Sequence, residues 1–511
     1  MSFNTFNIYD LFERNASLSP ERESLVFHDE TITFNMLWRK INRLAAALQA
    51  KGLKKGDRIA ILALNCPEFF IILGAAAGQG VIVVPINWRL STNEIDYILR
   101  DTTPKFLFIS SEYEDLALSL LPAHRYLKEI IVLGENKSFI PFECFLEEKD
   151  FVDKTEVESD DPFLIIHTAA VTGKPLGAIL THTNILASNM QYMYLMGLSE
   201  KDVYLNTLPL FHMAGLTLAM AVFHAGGKNV VITRFDPSQT LNLIEKTRVT
   251  IIGSFPPMLS KILESLSESN YDISSLRHIR GIEDLESIRK FKKKSEAEFW
   301  TAYGQTETAG AVTICPYFER VGSVGKSSPI SKIKIVDEYD QMVGMNIEGE
   351  ILVRGPLVFK GYWNEPEMTK HTLREGWHHT GDVGRMDEQG YLWFIKRKAE
   401  KELIKSGGEN VYPKEVEETI KKHPQIKEVA VIGVKDKEWG EAVKAICVLK
   451  TPETVTIQEL IDFLADKIAK FKRPKYIEYV DSLPTLKDGR LDKEKIKTLY
   501  GNPHLRSFKT P

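Results

Sequence analysis

The sequence predicts an α/β fold: a large N-terminal domain of two similar α/β halves with a small β subdomain, then a small C-terminal α+β domain. Three observations carry this. β-branched runs at residues 58–62, 81–84, 106–109 and 130–133 alternate with helical stretches, the pattern of parallel βαβ units. The same alternation resumes after residue 200, with strand-like runs at 203–212, 229–233 and 249–253. The texture then changes twice: to short strands and turns from Gly322 to Gly361, and to a compact α/β module past Lys396. The expected boundaries are therefore 1–395 for the large domain, with its β subdomain from about residue 322, and 396–511 for the small one.

In chain order, residues 8–15 read as a helix and 25–34 as a hairpin. Residues 35–51 read as a long amphipathic helix, which Gly52 is placed to stop. The apolar span 69–86 approaches membrane-helix length, but Gly74, Gly78, Gln79, Gly80 and Pro85 interrupt it. It reads instead as a buried helix running into a buried strand, and no transmembrane segment is expected. Phe163-Leu164-Ile165-Ile166 is a short buried strand, and Thr183-Asn184-Ile185-Leu186 opens a helix. Residues 215–225 are an apolar helix, and Phe255-Pro256-Pro257 begins another, proline suiting a first turn. In the small module, 415–423, 428–434, 442–449 and 457–471 are the periodic segments, and 501–511 a loosely tied tail.

A net charge of -4 over 511 residues is too small to argue for a nucleic-acid or membrane surface. Cys66, Cys144, Cys315 and Cys447 are far apart and lack CxxC spacing, which points to reduced thiols in a cytoplasmic protein without a zinc site. The first residues carry no basic segment followed by an apolar one, so no signal peptide is expected.

Three stretches combine residue types that suit chemistry. From Thr168 to Gly177 a loop of small residues, hydroxyls and glycines separates the strand from the helix. Strand, loop and helix can surround a phosphate with backbone N–H groups, or can be an ordinary connection. It is no Walker loop, because Lys174 lacks the following Ser or Thr. Tyr303-Gly304-Gln305-Thr306-Glu307-Thr308 follows a strand at 298–302. A Thr and a Glu there suit either a phosphate oxygen with a Mg²⁺ ion or a capped surface turn. Asp382, in Gly376-Trp377-His378-His379-Thr380-Gly381-Asp382-Val383-Gly384, reads as a carboxylate held by a tight glycine turn. Such a group accepts hydrogen bonds from two ribose hydroxyls, or is simply a turn aspartate.

These strings, in this order and spanning about residues 8–500, resemble the adenylate-forming superfamily of acyl-CoA synthetases, luciferases and adenylation domains. The resemblance implies that Thr168, Thr172, Gly173 and Lys174 meet the phosphates. Tyr303 and Gly304 would border the adenine and acyl pockets, Thr306 would touch phosphate, Glu307 would hold Mg²⁺ and Asp382 the ribose. Lys396-Arg397 matches the family's hinge followed by an arginine contacting ribose or phosphate. Gly407 and Gly408 match a glycine loop that approaches the pantetheine of CoA. His212, in Leu210-Phe211-His212-Met213-Ala214-Gly215, matches the acyl-tunnel segment, and Gly281 stands beside adenine.

The chain also departs from the family. The usual T-S-G-T-T-G-x-P-K-G becomes Thr168-Ala169-Ala170-Val171-Thr172-Gly173-Lys174-Pro175-Leu176-Gly177. Arg490 stands where a final lysine contacts the carboxylate and α-phosphate, with Lys487 and Lys493 nearby, and arginine's bulky planar fork is no simple substitute. Glu283 is unusual beside Gly281. The resemblance implies an AMP-forming acyl-CoA synthetase that uses ATP, Mg²⁺ and CoA on a small carboxylic acid. Its small domain would turn about Lys396 between adenylation and thioester formation. The departures imply slow adenylation or a preference for the reverse direction. A catalytically degenerate acyl-CoA- or nucleotide-binding relative is the alternative, and a homo-oligomer stays open. The acid itself is not legible.

Overall fold

The computed structural model describes residues 5–135, 138–147, 155–168, 175–397, 403–407, 409–436, 439–451, 455–465, 467–486 and 490–502. Its frame is a pair of large sheets with helices between them and on both outer faces. The first sheet has eight strands, with Arg58–Leu62, Ile82–Pro85, Phe106–Ser110, Glu129–Leu133 and Pro162–Thr168 forming its parallel centre. The second has nine, with Val203–Asn206, Lys228–Val231, Ile251–Ser254, His278–Gly281 and Glu298–Gln305 parallel at its centre.

The largest hydrophobic core lies between the two sheets and is filled by helices. Glu68–Gln79 is apolar on all sides, every residue from Phe69 to Gln79 is buried, and it ends at Gly80 with φ 63°. That is the pattern of a helix sandwiched between layers, and the expected helix-into-strand reading of 69–86 is what forms. Helices Phe34–Ala50, His182–Met196 and Met213–His224 complete the filling. Outer cores lie under helices Pro237–Thr247, Met258–Glu268 and Leu285–Lys292 on the second sheet, and under Thr92–Thr102 on the first.

Two local expectations give way. The strand–loop–helix around the glycine-rich stretch is a strand–loop–strand: Pro162–Thr168 pairs antiparallel with Leu176–Thr181, and the helix starts only at His182. Leu176–Thr181 is stabilised as a strand by partners on both sides, the second being Gly361–Tyr362 from far along the chain. Asp382 is not in a turn either. It lies inside the ten-residue strand Trp377–Met386, which pairs with Gly349–Arg354 and Leu392–Arg397. Glycine still matters there, because the strand bends at Gly381 with φ 67°. In the small module the periodic segment 457–471 forms a helix over Ile457–Leu464.

A five-stranded antiparallel sheet, Lys332–Val336, Gly349–Arg354, Leu373–Arg374, Trp377–Met386 and Leu392–Arg397, forms the small β unit. A separate sheet beyond residue 403 is built on the long hairpin Ile426–Asp436 with Gly440–Leu449, and carries its own core. This small domain docks beside the start of helix Thr92–Thr102. Glu94 there accepts from Lys472 Nζ and from the Ala469 N–H at 3.0 Å, while Lys472 also pairs with Glu415 at 2.7 Å. Arg89 and Asn87, after strand Ile82–Pro85, hold Glu409.

Candidate active site

One cavity of about 1870 Å³ opens where the strands of the second sheet end and the small domain docks. Its walls bring together Thr168, His212, Gly281, Gly304, Thr306, Glu307, Lys396, Arg397, Gly407 and Arg490, from widely separated parts of the chain. Thr172, Gly173, Lys174 and Gly408 lie outside the described residues, as do Ala169, Ala170, Val171 and Lys487.

Asp382 is fully buried behind this wall, and its neighbours treat its two oxygens differently. Oδ2 accepts from the Tyr303 hydroxyl at 2.8 Å and from Gln305 Nε2 at 2.7 Å. Among the described residues Oδ1 accepts no hydrogen bond and has only the Arg397 Nε at 3.4 Å. A buried carboxylate oxygen without a donor is costly, so hydroxyls brought to it by a ligand would be favoured. The backbone before it is braced: Glu350 accepts from the Gly381 N–H at 2.8 Å, and the Thr380 hydroxyl accepts from the Asp382 N–H at 3.1 Å. Burial pushes the Arg397 guanidinium pKa down, but attraction to Asp382, with Tyr412, Tyr303 and Glu307, together outweighs this and the net shift is upward.

Tyr303 stacks on Phe394 with ring centroids 6.1 Å apart, and its hydroxyl pKa is raised by burial and by Asp382. Gly304 has no room for a side chain: a Cβ would fall 1.8 Å from the Gly310 carbonyl oxygen. Thr306 and Glu307 follow on a short 3₁₀ turn at the strand's end. Glu307 Oε1 accepts from the Tyr362 hydroxyl at 2.8 Å. The Thr306 hydroxyl and the other Glu307 oxygen leave oxygen donors of the kind a hard cation takes.

Across the cavity His212 caps helix Met213–His224, its Nδ1 accepting from the Ala214 N–H at 3.1 Å. Burial lowers its pKa, so it is a neutral wall residue. At Gly281 a Cβ would meet the Ser254 carbonyl oxygen at 1.7 Å, so the backbone itself is the surface there. Glu283 turns away, its carboxylate accepting from Ser254 Oγ at 2.6 Å and from the Leu259 N–H at 3.0 Å. Gly407, at φ 58°, lies where a Cβ would sit 2.3 Å from the Trp439 ring. The Thr168 hydroxyl reaches its hairpin partner Leu176 O at 3.4 Å. Arg490 faces the same cavity from the small domain, its carbonyl accepting from Leu486 N at 2.7 Å.

Residues 12–363 match the family model described as AMP-binding enzyme, and residues 415–490 match the AMP-binding enzyme C-terminal domain. The chain belongs to the AMP-binding enzymes. It is 33% identical over 495 residues to the indoleacetate–CoA ligase of Aromatoleum aromaticum, covering 95% of this chain and 97% of that one. It is 33% identical to the 2-succinylbenzoate–CoA ligase of Bacillus subtilis, covering 95% and 96%. Among solved structures, o-succinylbenzoate CoA synthetase of Bacillus subtilis superimposes with TM-score 0.84 at 30% identity, covering 98% of this chain and 99% of that one. This AMP-binding enzyme is an AMP-forming acyl-CoA synthetase of the adenylate-forming superfamily, an acid–thiol ligase whose substrates include ATP and CoA. No helix among its described residues is long and apolar enough to cross a membrane.

Several wall residues carry no recognisable string. Gln305 stands inside the quoted string 303–308 and Tyr362 outside every quoted one, and only the fold shows that they hold Asp382 and Glu307. Arg280 is one residue before Gly281, and Trp439 comes from a distant loop.

Proposed function

We propose that the enzyme adenylates its acid on the Asp382 side of the cavity and forms the thioester on the small-domain side. The observation that carries this is the buried Oδ1 of Asp382, which lacks a donor. Two ribose hydroxyls would complete it, seating AMP against Gly281 and Gly304 with its phosphate toward Thr306. Glu307 and Thr306 are the residues that would hold Mg²⁺, and the ion, when bound, would neutralise charge on the departing pyrophosphate. Arg397 adds a fixed positive charge beside the ribose. The acid arrives ionised, so no general base is required. The phosphate loop at 168–177 would flank the pyrophosphate, with Thr172, Gly173 and Lys174 as its donors.

The small domain supplies the second half-reaction. Gly407 and Gly408 would let the backbone approach pantetheine closely, and Lys396 would be the hinge near the 395/396 boundary. Arg490 would neutralise the acyl carboxylate and α-phosphate in the adenylating arrangement. Free Cys66, Cys144, Cys315 and Cys447 suit a reducing, cytoplasmic setting. Bulky apolar wall residues, Trp88, Phe235, Phe255 and Met213, favour an acid with a wide hydrocarbon or ring body. The names of the two curated relatives point the same way.

The test is AMP release from a panel of carboxylates with CoA and MgATP. Turnover of at least one ring-bearing or alicyclic acid is expected; tight AMP binding without turnover of any acid contradicts the reading. The direction of flow has its own test. Arg490→Lys is expected to raise forward adenylation about tenfold, a fraction of what one electrostatic contact commands. An unchanged forward rate would remove Arg490 as the brake.

A further inference from the structure

Arg280 lies in strand His278–Gly281, next to Gly281, and lines the cavity. Its strand decides which way it faces. Ile279 packs into the outer core with Leu241, Ile244, Leu259 and Ile262. Residues alternate across a sheet, so Arg280 faces the helices between the sheets, where its guanidinium lies 5.7 Å from the Tyr192 ring. On the neighbouring strand its register partner is Gly253, which offers no side chain.

Arg280 is only 8% exposed, its Nε has no hydrogen-bond partner, and no carboxylate lies within ion-pair distance of it among the described residues. The nearest acid in sequence, Glu283, is spent on Ser254 and Leu259. Two further donors lie beside it, for the hydroxyls of Tyr192 and Tyr204 are fully buried and equally without partners. The charge of Arg280 reaches both Tyr204 and His212, tempering the upward push of burial on the one and adding to its downward push on the other. Arg280 itself lines the cavity. A largely buried guanidinium without a counter-charge is unfavourable, and a neutral acyl tail supplies none.

We infer that the acyl end of the cavity is a carboxylate receptor, and that the acid this enzyme activates is a dicarboxylic acid. One carboxylate goes to the phosphate, while the other is paired by the planar fork of Arg280 with the Tyr192 and Tyr204 hydroxyls at its side. Arginine is suited to this, because its fork matches a carboxylate in two parallel hydrogen bonds. This deepens the ligase reading and rests on it for which site is meant.

The test uses matched pairs of acids differing only in the distal carboxylate: azelate and nonanoate, homophthalate and phenylacetate, 2-succinylbenzoate and 3-benzoylpropanoate. In the wild type at least one diacid is expected to exceed its partner in kcat/KM on the order of 100-fold, since a buried polar group discriminates strongly against a ligand that leaves it unpaired. Arg280→Met is expected to remove that preference, lowering the diacid's kcat/KM by a similar factor while the monoacid stays within about threefold. A wild type that prefers the monoacid in every pair, or a variant that loses both members equally, overturns the inference and leaves the ligase reading standing. Should no acid turn over, the ligase reading fails and calorimetry with the same acids decides the receptor. Diacid binding lost in Arg280→Met upholds it; no diacid binding by the wild type sinks it.

Discussion

Two buried ionic clusters, one behind the cavity wall and one where the small domain docks, are built on opposite plans. Around Asp382 both side-chain hydrogen-bond donors, Tyr303 and Gln305, come from the large domain, and among the described residues the other oxygen is left without a donor. Around Lys472 the partners come from both sides of the chain: Glu94 from the large domain, Glu415 from the small one. The first is a receptor whose geometry is fixed before any ligand arrives. The second is a clasp: Lys472 pairs with Glu415 inside the small domain, and reaches Glu94 only while that domain is docked. Preorganisation for binding and dependence on docking are thus separated in space, and each can be broken without touching the other.

The largest effect expected is at the receptor. Asp382→Asn presents a donor where the ribose hydroxyls need an acceptor, and the rate of acyl-adenylate formation, read by hydroxamate trapping, should fall on the order of 1000-fold. Folding should be little changed, because Tyr303 and Gln305 retain an acceptor in the amide oxygen.

The clasp should show the reverse pattern. Lys472→Met strands two buried carboxylates and should destabilise the docked protein by about 3 kcal/mol, seen in thermal unfolding. Replacing Glu94 and Glu415 by Leu in the same variant should recover most of that loss. Proton linkage gives a sign as well. Burial raises the Glu94 pKa, but Lys472 more than offsets it and the net shift is downward. Its contribution is present above the ordinary carboxylate range near 4.5 and is lost as pH falls through its lower docked value. Glu415 in the same cluster is shifted upward by burial and by Glu94 and works in the opposite sense, so Glu415→Gln isolates the Glu94 contribution; docking of that variant that strengthens on acidification would contradict this.

A smaller effect belongs to Glu283, which neither cluster includes. Burial, tempered by Ser254 and Leu259, holds its carboxyl at about 7. The folded chain keeps a proton that the unfolded chain releases, so stability falls as pH rises from about 4.5 to 7, by at most roughly 3 kcal/mol. Glu283→Gln should flatten that slope in melting temperature; an unaltered slope would place the titration elsewhere.

The contrast also explains what the sequence made legible. Hydrophobic periodicity suffices for the buried helix Glu68–Gln79 and the parallel strands around it, because those patterns are local. The motif strings likewise carry the family, as their glycines and acids are contiguous. Strand Leu176–Thr181 escaped because Leu176-Gly177-Ala178 has no strand signal of its own; pairing with Pro162–Thr168 and Gly361–Tyr362 makes it one. Asp382 was assigned to a turn because glycines flank it, but neighbouring strands impose extension on all but Gly381. The clasp joins residues 378 positions apart, and the Arg280 receptor is assembled from a helix and two strands. Such arrangements depend on which faces meet, which no window of sequence contains.

The most direct measurement is discrimination between ATP and 2′-deoxy-ATP in acyl-adenylate formation, by the wild type and by Asp382→Asn. If the buried Oδ1 receives the ribose, the wild type should favour ATP by on the order of 100-fold, and the variant should favour it hardly at all. An identical preference in both proteins would mean that the ribose lies elsewhere, and the cradle built around Asp382 would be wrong.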